Sequence, residues 1–236
     1  MAQNPRISKS SIAGVDFLSV TSTKAKNTVI MLHGFGASCE DLFDIHSILD
    51  PNGLFNWIFP DGVLAVPIGP HMVGRAWFPI RMADIEAAAS RGGSVDFSDM
   101  TPDGMLAAES KLLNFIKELR IPSSNLLLGG FSQGAMMSVQ IAPTLGPSLK
   151  GLILFSGTLI NRPSWETNLP KIAKVPFIQS HGANDLVLGF NHAKRLNSLL
   201  VNSGLVGEFI PFDGSHEIPM PVLRKAEKFL SSLAKE

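Results

Sequence analysis

The 236-residue chain reads as an α/β protein, a mostly parallel central sheet flanked by helices on both faces. Short β-branched or leucine-rich runs end in glycine or turn residues and alternate with longer segments of helical period, as strands joined by crossover helices do. The middle runs, LLLGG, GLILFSG and VPFIQSHG, are apolar throughout instead of alternating, which suits strands buried on both faces.

In chain order, strands are expected at 15–20, 28–32 and 57–59, with a helix over 40–49 between the last two. The stretch 60–100 is rich in Gly and Pro, with Trp77 and Phe78 in its middle, and reads as a long irregular insertion. A helix follows from Thr101 as the capping residue and Pro102 at the first helical position. It sets Met105, Ala108, Leu112, Ile116 and Leu119 on one side and is closed by Pro122. Strands at 126–129, 151–155, 177–180 and 208–211 alternate with helices at 133–142, 191–201 and 220–233, Gly204 stopping the second of these.

An apolar fraction of 45% with 17% charged residues suits one domain over residues 1–236 with a large core. Lys plus Arg equal Asp plus Glu at 20 each, so the cationic excess that a nucleic-acid partner demands is missing. The lone Cys39 can make neither an internal disulfide nor a cysteine-rich metal cage. No apolar run has signal-peptide or membrane-spanning character, so the expected location is cytoplasmic with no transmembrane segment. With 15 Phe, 3 Trp and no Tyr, no phenol is available for acid or oxyanion duty.

Gly130, Phe131, Ser132, Gln133 and Gly134 form a G-x-S-x-G between an apolar strand and a helical stretch. At such a sharp turn a serine hydroxyl projects from the sheet edge, and flanking glycines avoid collision with neighbouring backbone. A serine that merely caps the helix is the bland alternative. A neutral hydroxyl is a weak nucleophile, so acyl transfer needs a histidine base and a carboxylate that orients it. Chain order in this architecture is Ser, acid, His. His33, His46 and His71 precede the serine, His181 ends a strand, and His192 begins a surface helix. His216, in FDGSHEIP between the last strand and the last helix, remains as base. Asp185 in SHGANDLVL is the expected acid, and Asp213 beside Gly214 reads better as a turn-former. For the oxyanion, two backbone N–H groups are expected, from Gln133 and from Phe35 in the HGFG loop after the second strand. His33 is read as a brace for that loop, and Cys39 as packed in the helix that follows.

The four blocks LHGFGAS, GGFSQGA, SHGANDLVL and GSHEIP, in that order, closely resemble the phospholipase/carboxylesterase family, which includes acyl-protein thioesterases and bacterial carboxylesterases. The resemblance runs from about Val29 to the C-terminus. It implies an α/β-hydrolase fold working without cofactor or metal, with Ser132, Asp185 and His216 as triad and the Phe35 and Gln133 amides as oxyanion donors. Two positions depart from the family's pattern: Pro79 stands where an aspartate commonly follows the Trp-Phe pair, and Ala135 where a further glycine is common.

The expected activity is serine carboxylic-ester hydrolysis through an acyl-enzyme, on a small-molecule or lipid-like acyl ester or thioester, or on an acylated protein. Acyl-protein thioesterase and lysophospholipase are the alternatives within the family. A non-catalytic binding protein on the same scaffold is the alternative from another class, and a metallohydrolase would need an H-x-x-H cluster that the sequence lacks. Met72, Val73, Trp77 and Phe78, with Val66 and Pro67, and Leu186 and Val187 beside the acid, are candidates to line an apolar acyl groove. Arg75 and Arg81 could meet an anionic head group or simply be solvated. A neutral apolar chain with aromatic side chains near the groove could self-associate as a homodimer.

Overall fold

The unbroken apolar runs become strands that feed two cores at once. In β-structure successive side chains point to opposite faces, and in the 28–32 run Val29 and Met31 enter one core while Ile30 and Leu32 enter the other. Leu127 and Ile153 join the first pair, and Leu128 and Leu154 the second. A sheet covered on one face only would leave half of these residues wet.

The computed structural model describes residues 6–234. The chain begins with β1 (Arg6–Ile12), β2 (Val15–Thr21) and β3 (Asn27–Leu32), then α1 (Ile45–Leu49) and β4 (Phe55–Pro60). A hairpin of β5 (Leu64–Gly69) and β6 (Met72–Ala76) leads to α2 (Met82–Ala89) and α3 (Met105–Glu118). The remainder alternates: β7 (Leu126–Phe131), α4 (Gln133–Leu145), β8 (Gly151–Phe155), α5 (Arg162–Asn168), β9 (Pro176–Gly182), α6 (Phe190–Asn202), β10 (Val206–Phe212) and α7 (Met220–Leu233).

Eight strands form one sheet in the order β1-β2-β4-β3-β7-β8-β9-β10, and β5 pairs with β6 apart from it. From β4 to β10 every neighbouring pair is parallel, whereas β1 and β2 add an antiparallel edge. Helices α1 and α7 cover one face through Ile45, Leu49, Val222, Leu223 and Leu230. Helices α3 to α6 cover the other through residues such as Leu112, Met137, Trp165 and Leu196. Each such side chain contributes about 1.5–3 kcal/mol of burial. No helix among the described residues is long and apolar enough to cross a membrane.

The departures from expectation have local causes. β1 was invisible in the sequence because RISKSSI is an edge strand, exposed along nearly its whole length. The 60–100 stretch is not irregular throughout: it holds the β5–β6 hairpin and α2. The hairpin lacks an apolar alternation because most of β5 is exposed, and its turn passes through His71 at φ 63°. The helix expected from Thr101 starts at Met105, after a turn in which Gly104 adopts φ 77°. Thr101 does not cap it but donates its hydroxyl to Asn161 Oδ1 at 2.9 Å. The helix expected over 40–49 is shortened to Ile45–Leu49, the preceding residues forming turns. Cys39 lies in those turns, buried, with its N–H donated to Asp61 Oδ1 at 2.7 Å.

Leu112 is wholly buried on the face of α3 that meets the sheet. Truncation in Leu112→Ala should lower the unfolding free energy by about 2–5 kcal/mol, read from urea denaturation at unchanged slope. A loss under about 1 kcal/mol would mean that α3 does not pack through this face.

Candidate active site

In an open α/β sheet, ligand sites form beyond the carboxyl ends of the strands, where neighbouring connections leave in opposite directions. Here the chain leaves β3 for β4 on one side, and β7 lies on the other. The loops after β3, β7, β9 and β10 meet at that end, and they carry Phe35, Ser132, Asp185 and His216 respectively.

Ser132 sits between β7 and α4 at φ 55°, ψ −120°, a conformation that costs an L residue about 1–3 kcal/mol. Its N–H donates to the Phe155 carbonyl at 2.9 Å, and its own carbonyl accepts from the Ala135 and Met136 amides in the first turn of α4. The glycines are required by contact: a Cβ on Gly130 would lie 2.3 Å from the Gly134 carbonyl carbon, and one on Gly134 2.0 Å from the Leu32 carbonyl oxygen.

The structure brings the three predicted side chains together. Ser132 Oγ lies 2.9 Å from His216 Nε2, and His216 Nδ1 lies 2.7 Å from Asp185 Oδ2. An ionised carboxylate only accepts, so Nδ1–H donates to Asp185 and the free pair on Nε2 faces the serine O–H. Phe131 packs against the imidazole with ring centroids 4.8 Å apart. Burial opposes ionisation of Asp185, but hydrogen bonds from His181, His216 and the Leu188 amide outweigh it and hold the carboxyl well below the usual carboxylate range. Oδ1 accepts the Val187 and Leu188 N–H groups, each at 2.9 Å. The rival acid, Asp213, accepts from Asn184 Nδ2 at 2.9 Å in an exposed turn.

Neither the Phe35 nor the Gln133 N–H finds an acceptor among the described residues, and the Gln133 amide opens α4, where the helix dipole favours negative charge. The Gln133 side chain is wholly buried: Nε2 donates to the Phe78 carbonyl at 2.7 Å and Oε1 accepts the Trp77 N–H at 2.9 Å. His33 braces the loop after β3. Its Nδ1–H donates to the Gly34 carbonyl at 2.7 Å, Nε2 accepts the Gly62 N–H at 2.8 Å, and burial pushes its basicity below histidine's usual value. Gly36 and Ala37 in the same loop bond to the backbone of Arg75 on β6. The Cys39 thiol, pushed up to about 12 chiefly by burial, stays protonated at neutral pH.

Beside Ser132 opens a cavity of about 430 Å3, walled by Ile80, Met82, Ile85, Met136, Val187 and Leu188. Phe35, Ile80 and Met82 also border a shallower groove of about 290 Å3 that runs past Val66, Pro67 and Pro79. Of the expected groove residues, Val187 lines the cavity and several others do not. Trp77 and Phe78 are buried in the core, held there by Gln133 and by the bond from Trp77 Nε1 to the His33 carbonyl at 2.9 Å. Met72 and Val73 stand exposed on the hairpin, and Leu186 points to solvent. Arg81 is solvated beside Asp84 at 3.5 Å. Ile80, Met82 and Ile85 lie in a Gly- and Pro-rich stretch that masks the short α2, and the three-residue spacing of Met82 and Ile85, that of neighbours on one helical face, is the signal that marks them. A larger depression, about 560 Å3, lies between β10 and α7 and contains none of these groups.

A family model described as Phospholipase/Carboxylesterase matches residues 15–234. The chain is 24% identical over 226 residues to acyl-protein thioesterase 1 of Candida albicans, covering 91% of this chain and 95% of the relative. It is 27% identical over 223 residues to a probable carboxylesterase of Oryza sativa subsp. japonica, covering 91% and 80%. Among solved structures, the Mesorhizobium loti carboxylesterase superposes with TM-score 0.73 at 16% identity, covering 97% of this chain and 99% of that one. The Bacillus cereus carboxylesterase gives 0.70 at 18%, covering 93% and 94%. Together with the family match, these two likenesses establish the α/β-hydrolase fold.

A carboxyl group depressed on folding adds stability that is complete above its unfolded value, about 3.9, and drains away as pH falls toward its folded value. Asp185→Asn should therefore unfold at lower temperature than the parent at pH 7, with the gap shrinking below about pH 4. Thermal midpoints measured from pH 7 to 3 check this. A gap that stays constant to pH 3 would contradict the ionised, hydrogen-bonded Asp185.

Proposed function

The chain belongs to the phospholipase/carboxylesterase family, and on that premise we propose that it is a serine carboxylic-ester hydrolase working through Ser132, His216 and Asp185. The observation that carries the reading is the continuous path from Ser132 Oγ through His216 to Asp185, 2.9 Å and 2.7 Å long.

In the proposed reaction Ser132 Oγ attacks the acyl carbonyl carbon while its proton passes to His216 Nε2, and the carbonyl π pair moves to oxygen. The Phe35 and Gln133 amides receive that oxyanion, and Asp185 stabilises the imidazolium. Collapse breaks the bond to the leaving alcohol or thiol, which takes the proton from His216 and departs. Water, deprotonated by the same imidazole, then attacks the acyl-enzyme and releases the carboxylic acid, returning the proton to Ser132. The acyl chain occupies the 430 Å3 cavity, whose volume is within the ordinary range for small-ligand sites and whose wall is apolar.

A second reading, hydrolysis of a thioester on an acylated protein, is favoured by relatives named acyl-protein thioesterase 1. The two differ in leaving group and share every step above.

The nucleophile is tested with p-nitrophenyl esters and a fluorophosphonate probe. The parent should label stoichiometrically at Ser132, and Ser132→Ala should lose label and about 10⁴–10⁶-fold in kcat. Unimpaired turnover by that variant would sink the mechanism. Chain-length selectivity is tested by filling the cavity. Ile85→Trp should move the preferred acyl chain toward acetyl in a series from acetyl to palmitoyl, run as oxygen esters and thioesters. An unchanged profile would place the acyl chain elsewhere.

A further inference from the structure

Asp185 carries more donors than orienting one imidazole requires. Two backbone amides occupy Oδ1, and Oδ2 faces two imidazoles: His216 Nδ1 at 2.7 Å and His181 Nε2 at 3.2 Å. His181 lies near the end of β9, fully buried and out of reach of any substrate. Its Nε2 also meets the Leu188 carbonyl oxygen at 2.5 Å. Both neighbours of Nε2 are acceptors, so the proton resides there, bonded to the Leu188 carbonyl with Asp185 Oδ2 within reach. The other nitrogen, Nδ1, has no partner among the described residues, and neither has Oε1 of Gln179, two residues earlier on the same face of β9. A core imidazole with one nitrogen orphaned is poor packing chemistry. An apolar side chain of similar size would fill the space without that defect, so the Nε2–H is what distinguishes histidine here.

We propose that His181 is a positioning residue for the hydrolysis: its Nε2–H, shared between the Leu188 carbonyl and Asp185 Oδ2, supplies the fourth hydrogen bond on the acid and keeps it anionic and aimed at His216. The proposal rests on the Ser132–His216–Asp185 reading. A carboxylate saturated by four donors is a weaker proton acceptor, so the proton that moves in catalysis stays with His216. Without the fourth donor, Oδ2 pulls harder on Nδ1–H, the imidazolium is favoured, and free base appears only at higher pH. The same loss unties the 185–188 loop, which carries Val187 and Leu188 into the cavity wall.

Other titratable groups surround this pair. Asp213 and Glu217, in the loop after β10, are exposed, the former bonded to Asn184 and the latter to the Ser215 amide. On α6, His192 and Arg195 face Asp96, and Lys194 lies over Phe190. Among the described residues, Asp185 is the ionisable partner that His181 reaches.

The test is kcat/KM against pH, from about 5 to 10, for the parent, His181→Leu, His181→Asn and His181→Gln with one p-nitrophenyl ester. Gln can present an amide N–H where Nε2 stands, whereas Asn presents one only where Nδ1 stands. His181→Leu and His181→Asn should fall about tenfold at neutral pH, as loss of an orienting partner does in other sites. Their acid limb should move to higher pH and their rates converge on the parent's in alkali. His181→Gln should restore the limb and the rate to within about threefold. Because Asn and Gln are both polar and both expected to fold, their contrast decides the matter even if His181→Leu does not fold. Equal profiles for Asn and Gln, or a loss uniform in pH with the limb unmoved, would overturn the role of His181. If the parent itself takes no fluorophosphonate label at Ser132, the triad reading fails first and this proposal with it.

Discussion

The hydrogen bond from the Ser132 N–H to the Phe155 carbonyl, 2.9 Å long, joins two adjacent parallel strands just where one of them turns into a helix. Ser132 holds a left-handed backbone there, and nothing local favours it. What keeps it is the sheet: β7 lies between β3 and β8 with both faces covered, so the strand cannot slide to relieve the turn. The chain also passes so close to Leu32 that position 134 admits no side chain. Core burial worth tens of kcal/mol, summed over many apolar side chains at about 1.5–3 each, thus maintains a strain of about 1–3 kcal/mol at one residue. A hydroxyl held this way lies 2.9 Å from His216 Nε2.

A second constraint is hydrogen-bond completeness around that turn. The Gln133 amide at the start of α4 is aimed by a side chain that is itself tied to the backbone of Trp77 and Phe78. The Trp77 indole returns to the His33 carbonyl, and His33 spans to Gly62. Gly36 and Ala37 close the circuit through Arg75 on the hairpin. Four segments distant in sequence are therefore locked by buried bonds, and removing one partner leaves a group whose desolvation is uncompensated, at about 1–3 kcal/mol. The two candidate oxyanion amides, Phe35 and Gln133, stand at opposite ends of this circuit, and their spacing is a property of the whole network.

The sequence carried the proposed triad more clearly than its surroundings. Ser132, Asp185 and His216 were legible because strand-end loops in fixed chain order leave few choices, and the three side chains meet through contacts of 2.7 and 2.9 Å. The central strands were legible because each must be apolar on both faces. β1 and the β5–β6 hairpin were not, since exposed strands need no apolar pattern. Trp77 and Phe78 were misplaced for a related reason: an aromatic pair in Gly- and Pro-rich chain resembles a binding surface, and only the buried Gln133 side chain, 55 or more residues away, reveals that the pair belongs to the core. His181 went unread as a functional group because its partner oxygen is shared with His216, a relation that no linear spacing encodes.

The proposed triad and one side of the cavity beside it come from different parts of the chain. Ser132 and Asp185 stand on loops after β7 and β9, strands buried on both faces, and His216 stands after the edge strand β10. One side of the cavity wall draws on Ile80, Met82 and Ile85, which enter and form α2, an eight-residue helix that buries Ile85 and Ala88 and leaves Met82 partly in solvent, and the other side draws on Met136, Val187 and Leu188. Pro79 marks the border. The residue before it, Phe78, has its carbonyl committed to Gln133, and proline has no N–H to compete for an acceptor. Pro79, exposed, borders the neighbouring groove, and Ile80 borders both the groove and the cavity. A wall built from a short peripheral helix can change shape at little cost to the sheet. On the proposed reading, differences in acyl preference between this chain and its relatives should be sought in residues 80–85 and in Val187 and Leu188.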